Sequence, residues 1–258
     1  MNIYDSKEKI KESFSPDLIP EEQLQTQWSE LIQIKKAIYN LHHQKKKKLS
    51  ILDIGVGTGR IIKHLALIPE IWNCIETYTG IDNNDNCLAI AKQNINEWNL
   101  ADKVSVIRLE AKDILCLQKK YDIIMTTWFT PGNFYPADFD FNSYNPAQKR
   151  LSLKTNPAFT RVWSHAGQML KKNGMIILGS CYYQNDATRI KQENFYRQLG
   201  MTVVTNEKDL FTATREGFWS QRFTPDQIKK YLENAGFTKI KKINLDNYYF
   251  AFQLQLLA

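Results

Sequence analysis

The apolar positions of this chain change period in a regular order. After Pro20, residues Leu24, Trp28, Leu31, Ile38 and Leu41 fall near one face of a long helix, and Pro20 with Glu21 and Glu22 makes a favourable first turn. From Leu49 onward, short β-prone runs alternate with helical patterns. The alternation predicts strands over 49–55, 77–82, 103–109, 121–128 and 174–181, and helices over 59–68, 85–98 and 158–172. Leu88, Ala91, Ile95 and Trp98 mark the apolar face of the second of these helices, and Lys171-Lys172-Asn173-Gly174 reads as the stop of the third. Another helix opens at Thr224-Pro225-Asp226, with Thr224 as its cap, and ends at Asn234-Ala235-Gly236. Two closing runs, 238–245 and 248–256, are close enough for an antiparallel hairpin at a sheet edge.

Such an order predicts an α/β fold whose mostly parallel sheet is covered on both faces. Two stretches stand outside it. One is 132–157, rich in Phe, Tyr, Asn and Pro; the other is 182–223, in which 201–205 and 210–214 flank Asn206–Asp209 as a hairpin. Both leave from the carboxyl side of the sheet, where long irregular insertions serve as lids. The expected organisation is a helical cap over 1–48, its first twenty residues loosely ordered, and one domain over 49–258 carrying the two lid insertions.

The chemistry concentrates where strands end. Asp53-Ile54-Gly55-Val56-Gly57-Thr58-Gly59-Arg60 follows an apolar run and opens a helix. Alternate glycines remove side chains where the backbone must turn, and let a ligand lie against it. A dinucleotide turn wants G-x-G-x-x-G; here the third glycine comes one residue early, and an acid stands two residues before the first. Asp82 closes the run 77–82, where a carboxylate can accept two hydrogen bonds from a ribose diol. Asp82, Asn83 and Asn84 are also good helix caps. A further acid, Asp113, follows 103–109 together with Ile114 in a turn. The run 121–128 then enters the loop Thr127-Trp128-Phe129-Thr130-Pro131-Gly132-Asn133-Phe134.

The segment Asp53–Gly59 resembles the acid-x-G-x-G-x-G motif of the class I S-adenosylmethionine-dependent methyltransferases, and the likeness extends over 49–258. This resemblance implies a Rossmann-like, doubly wound, seven-stranded, mostly parallel sheet with an antiparallel last strand. It implies S-adenosyl-L-methionine as cofactor and S-adenosyl-L-homocysteine as product. Gly55, Gly57 and Gly59 would approach the methionine part, with Asp53 organising the loop around its ammonium. Asp82 would take the ribose and Asn83 the adenine. Asp113 would accept from the adenine amino group while the Ile114 N–H donates to the ring, and Thr127 would complete the cofactor side. Tyr4-Asp5 is similar to a segment that closes over the cofactor in small-molecule members.

The family places its methyl acceptor at the loop after the fourth strand. Trp128, Phe129 and Asn133 of that loop, with Tyr135, Arg215, Trp219 and Arg222 of the two lid insertions that should roof it, are therefore the candidates for contact with it, the two arginines as partners for an acceptor carboxylate. The loop has no Asn/Asp-Pro-Pro-aromatic motif, which holds a planar amine of adenine or glutamine, and no Pro-Cys nucleophile. Thr130–Pro136 resembles, over seven residues, the Gly-Asn-containing loop of histidine-betaine-forming methyltransferases, which implies an amino-acid-like acceptor. Of the four histidines, His42, His43, His64 and His165, none is assigned as a base, and no catalytic residue is named. The expected reaction is methyl transfer to a small molecule, at a nitrogen or an already acidic oxygen, by in-line displacement.

Charge adds an alternative. The chain carries 34 Lys and Arg against 27 Asp and Glu, a net +7, much of it in Lys45–Lys48 and in Lys239, Lys241 and Lys242. A basic face of that kind supports an RNA or protein methyltransferase; lysines that complement a helix end and stay solvated are the stronger reading. A non-catalytic S-adenosylmethionine-binding protein is the remaining one. Cys74, Cys87, Cys116 and Cys181 lack ligand spacing, so neither metal nor disulfide is expected. There is no apolar stretch of roughly 18 residues and no secretory pattern at the start, which points to a cytoplasmic protein without membrane contact. The sequence leaves oligomeric state open.

Overall fold

The computed structural model describes residues 4–13, 19, 21–148, 151–245 and 249–255. In chain order the elements are α1 (Lys7–Ser13), α2 (Glu21–Lys45), β1 (Leu49–Ile54), α3 (Arg60–Ala66), α4 (Pro69–Trp72), β2 (Ile75–Asp82), α5 (Asp85–Glu97), β3 (Val104–Arg108) and β4 (Tyr121–Thr126). They continue with α6 (Pro157–Gln168), β5 (Leu170–Tyr183), α7 (Asp186–Gln198), β6 (Phe211–Ala213), β7 (Trp219–Phe223), α8 (Pro225–Asn234), β8 (Lys239–Asn244) and β9 (Tyr249–Gln255).

Strands β3, β2, β1, β4 and β5 lie side by side and parallel, and β9 runs antiparallel along β5 with β8 at the outer edge. These seven strands are the doubly wound sheet expected from the sequence. β1 shows why it is covered twice. Leu52 and Ile54 enter a core built with Phe159 and Trp163 of α6 and Ile228 and Tyr231 of α8. Leu49 and Ile51 enter the opposite core, with Leu31, Ile34, Ile38 and Leu41 of α2, Ile62 and Leu65 of α3 and Leu88 of α5. Alternate side chains of one strand thus need an apolar layer on each face. The long N-terminal helix is part of that second core.

Three local expectations change. The third crossover helix stops at Gln168, and Lys171–Gly174 is instead an irregularity inside β5, where pairing jumps from Tyr121–Leu170 to Ile123–Met175. Asn173 adopts φ 57 there. Residues 201–205 and 210–214 touch through one bridge, Val203–Thr214, and the regular antiparallel pair is β6 with β7. β7 escaped the sequence pattern because Trp-Ser-Gln-Arg-Phe alternates poorly, yet all five residues are buried.

The position of β7 matters for function. β4 and β9 both pair with Ile176–Leu178 of β5, so they occupy opposite edges. β7 and β9 both pair with Tyr182, so they too are opposed. β7 therefore lies on the edge of β5 that β4 has vacated, and the second insertion is carried over the carboxyl end of β4.

Candidate functional site

The strand order reverses at β1: the chain runs outward from β1 through β2 to β3, then crosses back to β4 on the other side of β1. A crevice opens at the carboxyl ends of such strands, and the glycine turn lies in it. Gly55, Gly57 and Gly59 have φ of 80, 55 and 86°. Such values are strained for any residue with a side chain. A Cβ at Gly57 would meet nothing within 4 Å, so this peptide faces open space, whereas one at Gly55 would overlap Thr130 at 2.7 Å.

Asp82, at the end of β2, braces the turn. Its Oδ2 accepts the Gly57 N–H at 2.9 Å and its Oδ1 the Asn84 N–H at 3.0 Å. A carboxylate offers about four acceptor positions, so capacity remains for a hydroxyl. Burial raises its pKa, and the backbone N–H groups oppose that rise. Asn84 caps α5 through the Cys87 N–H, which leaves Asn83 free to reach Glu110 at 3.4 Å. Asp113 and Ile114 lie in the 3-10 turn 111–117, the first half-buried and the second fully buried.

Asp53 is 1% exposed. Its Oδ2 accepts the Tyr78 hydroxyl at 2.6 Å, and its Oδ1 is buried with no partner. Burial pushes its pKa up to about 7, against the opposing pull of the Tyr78 hydroxyl and Arg60, while Glu30 and Asp82 add to the rise.

Glu30 was not foreseen. It comes from the middle of α2 and is 1% exposed. Its carboxylate accepts the Trp128 N–H at 3.0 Å on each oxygen, the Ser180 N–H at 2.7 Å and the Ser180 hydroxyl at 2.9 Å. Trp128 lies just past the end of β4, and Ser180 lies inside β5 where its pairing with β9 is irregular between Leu178 and Cys181. A Cβ at Gly179 would stand 2.5 Å from Glu30 Oε1, so glycine makes room for the carboxylate. The sequence signal was faint: one acid on the face of a helix otherwise marked by Leu31, Ile34 and Ile38.

On the acceptor side, Thr127 is buried and Trp128 takes φ 53. Phe129 stacks on Tyr182 with centroids 4.0 Å apart. The two insertions fold into one aromatic roof. Phe139 meets Trp219 at 4.7 Å, Trp219 stacks on Phe211 at 3.8 Å, and the Tyr144 hydroxyl donates to Asp209 at 2.7 Å. Tyr135 is exposed but packs its ring edge on Phe141. The carbonyl oxygen of Gln221 would stand 2.9 Å from a Cβ at Gly132, so the loop bearing Asn133 lies directly against β7. Asn133 Oδ1 is buried without a partner.

The arginines serve the roof itself. Arg215 donates to the Asn142 carbonyl and so joins the second insertion to the first. Arg222, expected against an acceptor carboxylate, is 2% exposed. Its guanidinium donates to Gln192 at 2.7 Å, to Thr212 at 2.6 Å, to Phe211 O at 3.2 Å and to the Asp209 carbonyl. Burial lowers its pKa to about 10.

The N-terminal segment closes the far side. The Tyr4 carbonyl accepts from Asn86 at 3.0 Å, and its ring stacks on Phe218 of the second insertion. Burial, with Cys87 and Asp82 nearby, raises its pKa. At the opposite end of the sheet, Asp122 gathers Lys45, Lys171 and Lys47 at 2.8, 3.1 and 3.2 Å. Among the described residues, no helix is long and apolar enough to cross a membrane. Cys74, Cys87 and Cys181 are buried, and Cys116 is exposed.

A family model described as a methyltransferase domain matches residues 45–236. Two curated relatives are release factor glutamine methyltransferases. One, from Buchnera aphidicola, is 37% identical over 82 residues, 32% of this chain and 27% of that protein. The other, from Enterococcus faecalis, is 25% identical over 169 residues, 63% of this chain and 56% of that protein. The matches thus span from about a quarter to little more than half of those relatives' length. A crystal structure of an S-adenosylmethionine-dependent methyltransferase from Clostridium acetobutylicum superposes with a TM-score of 0.57 over 99% of each chain at 14% identity, a likeness of fold.

Proposed function

This chain belongs to the methyltransferase-domain family, and we propose that its acceptor is a small molecule, methylated at a nitrogen or an already acidic oxygen by in-line displacement. In this reading its methyl donor is S-adenosylmethionine. The crevice fits that cofactor: an open peptide at Gly57, remaining acceptor capacity on Asp82, and a buried, unpartnered Asp53 oxygen suited to an ammonium. When bound, the cofactor supplies a methyl group on a sulfonium already activated for displacement. In this reading Asp82 holds the ribose, Asn83, Asp113 and the Ile114 N–H hold the adenine, and Gly55, Gly57, Gly59 and Thr127 border the remainder. Trp128, Phe129 and Asn133 wall the acceptor, with Tyr135, Arg215 and Trp219 above. Arg222 supports them from inside the roof. Holding the acceptor in line and keeping water out is the chain's main contribution. An amine needs only its neutral lone pair, so the reading requires no dedicated base.

The observation that carries the proposal is the roof. Two insertions interlock over the carboxyl end of β4 through Phe139, Tyr144, Phe211 and Trp219, an enclosure suited to a compact acceptor. A protein acceptor is the second reading, favoured by the names of the curated relatives. The loop after β4 argues against glutamine chemistry, since it reads Thr127-Trp128-Phe129-Thr130-Pro131. An RNA bound at Lys45–Lys48 would sit across the whole height of the sheet from the glycine turn, roughly 20 Å for a six-residue strand. Incubation with methyl-labelled S-adenosylmethionine and a metabolite extract, then with ribosome-free protein and total RNA, tests the choice. Label in a low-mass product supports the proposal; label confined to polypeptide or RNA overturns it.

A further inference from the structure

We propose that Arg60 binds the carboxylate of the cofactor's amino-acid end, with Glu30 and Trp128 holding its guanidinium ready. The inference rests on S-adenosylmethionine being the ligand of this crevice.

Arg60 is the first residue of α3, directly after Gly59. Its guanidinium carbon lies 5.1 Å from the centroid of the Trp128 ring, so the aromatic face supports the planar group. Its Nη2 stands 3.8 Å from Glu30 Oε2, close enough for attraction but too far for a hydrogen bond. Glu30 is already occupied by the Trp128 and Ser180 donors. Among the described residues, the Arg60 guanidinium makes no hydrogen bond, although only 29% of its side chain is exposed. A recessed guanidinium held in place with its donors unspent is suited to a bidentate carboxylate.

The charges around it point the same way. Arg60 lies in the field of both Asp53 and Glu30. Asp53 Oδ1 is buried and unpartnered. An α-amino acid group brings one ammonium and one carboxylate a few bonds apart. The ammonium suits Asp53 and the carboxylate suits Arg60, so each charge in the crevice gains a partner and the net charge is unchanged. A purely structural Arg60–Glu30 pair would leave the guanidinium donors and Asp53 Oδ1 without hydrogen bonds. Glu30 acts through Arg60 and is a positioning residue.

Two ligands separate this role from general damage to the crevice. S-adenosylhomocysteine carries the amino-acid end; 5′-methylthioadenosine has the same adenosine without it. Calorimetry on the wild-type chain and on Arg60→Met and Arg60→Lys should show S-adenosylhomocysteine weakened at least about tenfold by Arg60→Met, the scale of one charge-assisted hydrogen bond. 5′-Methylthioadenosine should change by less than about twofold, and Arg60→Lys should recover part of the loss. Glu30→Gln should also weaken S-adenosylhomocysteine selectively. Parallel loss of both ligands, or undiminished S-adenosylhomocysteine binding in Arg60→Met, would overturn the assignment. A wild-type chain that binds neither ligand would remove the cofactor reading on which the assignment rests.

Discussion

Glu30 Oε1 accepts the Ser180 N–H at 2.7 Å, joining the middle of α2 to β5 across 150 residues of sequence. The Trp128 N–H lies just past β4 and the Ser180 N–H lies where the pairing of β5 with β9 is irregular, and a buried donor without an acceptor is costly. Glu30 supplies that acceptor for both at once, and in doing so fixes α2 beside the crevice.

Removing it should therefore cost more than an ordinary surface contact. Glu30→Ala should destabilise the chain by roughly 2–4 kcal/mol, because the Trp128 and Ser180 donors lose their buried acceptor. Urea denaturation followed by circular dichroism measures the difference. A loss of less than about 0.5 kcal/mol would mean that water reaches these donors.

Gly57→Ala separates binding from folding. The added Cβ meets no atom within 4 Å but forces alanine into φ 55, a strain of about 1 kcal/mol. The methyl group would project into the space assigned to the cofactor. Thermal denaturation should shift by only a few degrees, about what 1 kcal/mol gives in a chain of this size. S-adenosylhomocysteine binding should fall by more than about tenfold in calorimetry.

Asp53 should make the free protein sensitive to pH. Its folded pKa, near 7, lies above that of an unfolded aspartate, so the folded state binds the extra proton between about pH 4 and 7. Its contribution to stability is complete below pH 4 and is lost as pH rises through 7. Asp53→Asn should abolish that decline and raise stability at pH 8 by an amount of order 1–3 kcal/mol. It should also weaken S-adenosylhomocysteine, whose ammonium favours the ionised acid. In the wild type, affinity should drop as pH falls below 7. Denaturation midpoints and calorimetric titrations at pH 5.5 and 8 check both signs.

Asp122 should act in the opposite sense. Burial alone would raise its pKa; the ammonium of Lys45, the Ser50 N–H and Lys171 reverse this and hold it well below the usual carboxylate range. Its contribution is present above about pH 4 and is lost as acid titrates it. Asp122→Ala should cost roughly 2–3 kcal/mol, toward the low side because Lys47 and Lys171 are part exposed and can turn to water. It should leave S-adenosylhomocysteine affinity unchanged, since the cluster lies at the other end of the sheet.

Local features were legible in the chain alone. Three glycines at alternate positions dictated the turn because only glycine enters those φ values without strain. Alternating strands and helices from Leu49 onward dictated the doubly wound sheet, because β1 must bury both of its faces. What converges on the crevice is set by long-range packing. Glu30 reaches Trp128 and Ser180 from 98 and 150 residues away, and no periodicity records such a meeting. β7 was hidden because its Ser, Gln and Arg are buried polar residues whose partners lie elsewhere in the chain. Arg222 looked like a ligand for the same reason. A guanidinium has five donors wherever it stands, and whether a substrate or the protein receives them depends on the packing of the roof.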